Sequence, residues 1–190
     1  DGAKIYIYDG KKTITISTFL FIIVGAIGLA PLASAQPYGK GLYGIVQYGD
    51  ETSLSIATDG DVTIASITPV TGGTLATNAS VVTVTSTDVK GFKLYVRSLT
   101  NTDMDNLGAI VPTSGNGSPA ALAVNTWGYN TNGSANFTGM TLTDVLIKSL
   151  TTPASSGDVT TFTYGINIDL SKPAGNYSNS VIYTAVPQTD

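Results

Sequence analysis

The chain has 190 residues, nine basic and thirteen acidic side chains for a formal net charge of −4, and neither histidine nor cysteine. A sparse, acidic charge set gives no electrostatic footprint for nucleic acid. The missing residue types remove the usual neutral-pH general base, the Cys/His ligand sets of structural zinc, the Ser-His-Asp triad and every disulfide.

In chain order, residues 1–10 read as an upstream extension, and Lys11-Lys12 then leads into the apolar run Phe19 to Leu29. The small-residue sequence Ala33-Ser34-Ala35 follows, directly before Gln36. A positive leader, a short glycine-interrupted apolar core and an A-x-A site predict a secretory signal over 11–35, cut between Ala35 and Gln36 and read at Ala33 and Ala35. Two alternatives use the same residues. Ile5 to Tyr8 and Thr13 to Ile16 alternate about Asp9-Gly10, which is a hairpin signal; and 11–35 retained would be a membrane anchor or the buried helix of a pilin. Only retention brings a membrane into contact with the protein.

The exported part, 36–190, carries six basic and eleven acidic side chains, a net charge of −5. It is long enough to bury a core without covalent staples. Residues 36–49 form a Tyr/Gly-rich arm in which Tyr38-Gly39, Tyr43-Gly44 and Tyr48-Gly49 recur every five residues. Glycine beside a large aromatic permits close backbone approach, so the arm reads either as a strand added to a neighbour's sheet or as an intramolecular first strand with a glycine kink.

After Gln36 Val, Ile, Thr and Tyr alternate with polar residues between Gly, Pro, Asn and Asp, and no segment has convincing helical periodicity. Strands are predicted at Leu42 to Tyr48, Ser53 to Ala57, Val62 to Thr68, Ser80 to Thr87, Phe92 to Ser98, Ala121 to Val124, Asn136 to Thr141, Val145 to Leu150, Val159 to Leu170 and Tyr177 to Val186. The linker Asp88-Val89-Lys90-Gly91 has hairpin length, which predicts direct pairing of its two flanking strands, a meander, and a turn role for Gly91. Residues 100–119 read as a long exposed loop; Asp103 and Asp105 there lack the order of a calcium-binding loop. Trp127, the only tryptophan, and Tyr129 read as core anchors of a sandwich, or alternatively as a platform for a sugar ring. Glu51 is the only glutamate, which weighs against paired-carboxylate glycoside chemistry.

Several motifs together resemble those of uncharacterised, signal-bearing surface β proteins of candidate-phylum bacteria. They are Pro37 to Gly44 with Gln47-Tyr48-Gly49, the strand Gly91 to Val96, the block Asn125 to Tyr129, and the closing strands Phe162 to Asp169 and Lys172 to Val186. The ending resembles the cell-wall-binding WxL domain, with an Ala-Gly-x-Tyr turn at Ala174 to Tyr177. It departs from that pattern in having Trp127-Gly128-Tyr129 once and Tyr183-Thr184-Ala185 in the second place. The resemblance implies an exported location and β architecture.

The sequence therefore predicts an all-β chain, an antiparallel Ig-like or WxL-like sandwich over 50–190. The expected role is that of a non-enzymatic, secreted or cell-surface structural protein without a cofactor, self-associating into a filament or coat. A module for cell wall or carbohydrate is the alternative.

Overall fold

The computed structural model describes residues 14–19, 53–87 and 89–188. The leader cut at Ala33, Ala35 and Gln36, and the arm with Tyr38, Gly39, Tyr43, Gly44, Tyr48 and Gly49, lie outside the described residues. Period-two alternation dictates the rest, because a strand with an apolar residue at every second position must cover that face. Eleven strands result: β1 (Ile14–Phe19), β2 (Ser53–Thr58), β3 (Val62–Ile64), β4 (Thr74–Thr87), β5 (Gly91–Ser98), β6 (Met104–Asn106), β7 (Ala109–Val111), β8 (Thr126–Asn130), β9 (Val145–Leu150), β10 (Ala154–Ile168) and β11 (Ser180–Gln188). Among the described residues there is no helix.

One sheet has the order β3-β1-β11-β5-β9 and the other β2-β4-β10-β8, with β6-β7 as a separate hairpin. All pairs are antiparallel except β1 with β11. Val82, Val84, Phe162, Tyr164 and Trp127 from the second sheet share one buried cluster with Phe92, Leu94, Val96, Val181 and Tyr183 from the first. Two antiparallel layers over a common core are the arrangement of a β-sandwich.

Pairing differs from the meander expected at residues 88–91. β4 and β5 belong to opposite sheets. Both carry core-facing apolar residues at alternate positions, and those residues meet across the sandwich rather than along one sheet. Gly91 is the first residue of β5 and is needed there for close approach: a Cβ would come within 1.9 Å of the Leu150 carbonyl oxygen. It is a strand residue opposite Gln188, not a turn residue.

The predicted strands at 121–124 and 136–141 are replaced by isolated bridges, Ala120 with Phe137 and Tyr129 with Thr138. Region 100–119 is likewise not one long exposed loop. It contains the β6-β7 hairpin, whose Met104 and Val111 are fully buried, and whose two-residue turn places Leu107 at φ 50° and Gly108 at φ 94°. Positive φ at both positions is what a tight hairpin with right-twisted strands needs. Glycine meets that demand without cost, but a leucine does not, and Leu107 is fully exposed, with no burial to offset its strain. Leu107→Gly is therefore expected to raise stability by about 1 kcal/mol, measured by urea denaturation; a loss of similar size would show that the leucine side chain makes a stabilising contact.

Candidate functional site

The feature of the fold with the clearest functional content is a strand position, not a pocket. β1 sits between two strands of the five-stranded sheet, with Ile14, Thr15 and Ile16 opposite Ile64, Thr63 and Val62 of β3. Ser17, Thr18 and Phe19 lie opposite Ser180, Val181 and Ile182 of β11. The neighbours at this position are buried: Val62 at 2%, Ile64 at 1% and Val181 at 0% exposure. Among the described residues β1 is the strand that joins β3 to this sheet. β1 meets β3 through its first three residues and β11 through its last three, so without it each of those strands would lose a ladder neighbour. Sequence reading placed these same residues in the leader, 11–35. The strand overlaps the Thr13 to Ile16 half of the alternative hairpin, but pairs with β3 and β11.

The aromatic pair lies elsewhere. Trp127 is completely buried and Tyr129 is 4% exposed. The Trp127 indole N–H donates to the carbonyl of Thr102 at 3.0 Å, while its backbone is bonded on the open side by Pro112 and Ser114. With the ring enclosed on both faces, no aromatic platform for a sugar is presented. Residues on the other side of β8 are covered as well. Gly128 stands opposite Gly165 of β10, and a Cβ on Gly165 would meet the Phe137 ring at 2.6 Å. Phe137 thus lies over Gly165, while the Thr138 backbone and Leu122 cover Gly128. Glycine inside two strand patterns marked a close approach, but nothing in the sequence named Phe137 as what approaches.

Asp103 and Asp105, considered as carboxylates for calcium or hydrolysis, are engaged with backbone. Asp103 accepts from the Thr113 amide at 3.2 Å and Asp105 from the Gly108 amide at 2.8 Å, so each holds the hairpin in place. Among the described residues no group of three or more Asp, Glu, His or Cys side chains is disposed to hold a metal. Asp169 is held below the usual carboxylate range, first by the hydroxyl of Ser171 and then by the side-chain amide of Asn125. These contacts fix the turn after β10.

Deep in the core, the hydroxyls of Tyr164 and Tyr183 hydrogen-bond to each other across the two sheets. The Tyr183 ring lies 4.7 Å from that of Phe162. Burial holds the Tyr164 hydroxyl well above the usual tyrosine range, and the neighbouring Tyr183 adds to the effect. Burial also raises Tyr183, with the hydrogen bond from Tyr164 acting in the opposite sense. The pair is a neutral, mutually satisfied link between layers rather than an acid-base device.

No protein-family model matches the chain. No curated protein matches it, and no solved structure does.

Two outcomes follow from the core. Trp127→Ala should cost about 3–5 kcal/mol of stability in equilibrium denaturation, the range for deleting a large buried aromatic. An unchanged melting temperature would place the ring outside the core. The tyrosine pair sets an alkaline limit: unfolded tyrosines ionise near pH 10, while Tyr164 and Tyr183 keep their protons in the fold. Above about pH 10 the unfolded state binds fewer protons than the native state, so stability falls as pH rises. Urea midpoints should be flat from about pH 6 up to that pH, above the range in which carboxylates such as Asp169 titrate, and drop beyond it, with a shallower drop in the Tyr164→Phe, Tyr183→Phe double variant.

Proposed function

We propose that this protein is exported and serves as a non-enzymatic structural subunit at the cell surface, self-associating into a filament or coat through strand exchange. What supports this reading is one conjunction. The strand that completes the five-stranded sheet, Ile14–Phe19, comes from the segment whose sequence is that of a secretory leader. Cleavage before Gln36 removes it and leaves a sheet with an unfilled position, and an open strand position is a site for another strand. The finer Ig-like or WxL-like assignment belongs with this proposal, as do the extracellular location and the resemblance to surface β proteins.

A second reading is favoured by the same strand. Three residues of β1 pair with β3 and three with β11, which gives the strand a reason to be kept, as in a subunit whose hydrophobic N-terminal segment is retained. A wall- or glycan-binding role through Trp127 and Tyr129 finds no support in two buried rings.

Intact mass of protein recovered from its native surface separates the two. Export with processing predicts a mature N-terminus at Gln36, and peptides spanning Ile27 to Lys40 would reject it in favour of retention. Deleting 36–49 should leave a folded monomer that no longer sediments as an assembly. Should that deletion unfold the domain under conditions where the undeleted protein is monomeric, the arm is part of its own domain.

A further inference from the structure

Resting on the self-associating reading, we infer that the loop end of the sandwich beside the β6-β7 hairpin is a contact surface for the same end of a second copy. Four loops meet there. The Asn125 side-chain amide donates to Asp169 at 2.9 Å and to Ser171 at 3.1 Å, which joins the loop before β8 to the loop after β10. Lys172 donates to the carbonyl of Ile110 at 2.7 Å, which joins the loop after β10 to the hairpin. The turn before β4 is closed by a bond from the Gly73 amide to the Val70 carbonyl, and a Cβ on Gly73 would lie 3.2 Å from a methyl of Val124. Each loop carries exposed aliphatic surface: Val70, Val124, Leu170, and on the hairpin Leu107 and Ile110. Apolar side chains gathered in this way mark interaction sites.

Two properties set this end apart. The first is strain at its tip. Leu107 takes φ 50° with its side chain in water, and a non-glycine residue in the left-handed region with no burial to offset it is the kind of outlier that points to a contact made elsewhere. The second is charge. The chain has no Asp, Glu, Lys or Arg from Val62 to Thr87 or from Asn106 to Thr143. Asp105, Asp169 and Lys172 are turned to their own chain: Asp105 accepts from the Gly108 amide, Asp169 from Asn125 and Ser171, and Lys172 is bonded to the Ile110 carbonyl.

A second copy fits this chemistry better than a lipid surface does. Segments that insert at a lipid interface are anchored by Trp, Tyr, Lys or Arg at the headgroup level, whereas Trp127, Tyr129 and Tyr177 are buried and Lys172 is engaged. Irregular backbone also finds no hydrogen-bond partner in hydrocarbon, but meets donors and acceptors in the loops of another copy. The net charge of −4 sets copies against one another. At the uncharged end they meet without that repulsion, apolar group to apolar group. The contact is isologous, so it joins two molecules, and a coat or filament adds a different contact to it.

Charge placed on the tips tests the contact. Leu107→Asp combined with Leu170→Asp alters two exposed positions, the first in a backbone region that Asp adopts more readily than Leu; circular dichroism and the urea midpoint check that the fold is kept. Sedimentation equilibrium of the purified full chain over a wide concentration range is expected to show association, weakened at least about tenfold in the double Asp variant and as much in Leu107→Lys, Leu170→Lys. Mixing the two variants at low salt is expected to restore it, because opposite charges then face each other in the end-to-end pair. Association of the Asp variant equal to that of the unchanged protein overturns the inference and leaves self-association through another surface. A mixture that stays monomeric overturns the like-to-like contact. Unchanged protein that is monomeric throughout, and monomeric at its native surface, defeats the self-associating reading together with the inference. A monomer that floats with phosphatidylcholine vesicles, and no longer floats as the Asp variant, overturns it in favour of lipid.

Discussion

Backbone pairing is the constraint on which this structure depends. A chain without cysteine closes no disulfide, and its sheets must be held by packed side chains and by ladders in which buried N–H and C=O groups find partners. The five-stranded sheet meets that demand through β1, which pairs parallel with β11, and among the described residues β3 joins the sheet only through it. Val62 and Ile64 tie β3 to the core by burial, but burial does not satisfy an amide. Whatever strand stands beside β3 completes the fold, which makes its origin the functional question.

The other layer shows how the same demand is met without a donor. Beyond β8 the chain uses short pieces of backbone: Pro112 and Ser114 bond Trp127, and Thr138 exchanges bonds with Tyr129. The irregular stretch that supplies them is itself anchored, since Asn116 donates to the carbonyls of Ala120, Ala121 and Phe137. Here the edge is closed by covering, a standard protection against unwanted pairing. The edge at β8 is thus covered by its own chain's irregular backbone, whereas β3 and β11 are paired by β1, a strand from outside the 53–188 region.

Charge has a small part in all this. Arg97 pairs with Asp144 and Lys148 with Asp158, both partly exposed, and such pairs contribute little in water. The Lys148 contact joins β9 of one sheet to β10 of the other at 2.6 Å, where it fixes geometry at the end of the sandwich more than it adds stability. The polar link with larger consequence is Tyr164 to Tyr183, because a hydroxyl buried at the centre of the core would be costly without its partner.

The sequence by itself determined the β class, because alternation such as Val82-Thr83-Val84-Thr85 and Phe92-Lys93-Leu94-Tyr95-Val96 states which face of each strand is apolar. It determined most strand positions as well, with β9 matched end to end, β4 and β10 beginning earlier than expected, and β10 ending at Ile168 rather than Leu170. Which strands pair was decided only in the tertiary structure. A period of two says that Val84 and Phe92 are both inward, and the same statement is satisfied by neighbours in one sheet or by strands facing each other across the core. The hairpin reading of 88–91 failed on that degeneracy, and the bridges at 120, 129, 137 and 138 escaped notice because a one-residue bridge leaves no periodic trace. The candidate site was half legible. The alternation of Thr13 to Ile16 can be read locally, but that residues 14–19 pair with β3 and β11 depends on partners more than forty residues away in sequence, and no local pattern encodes a contact at that range.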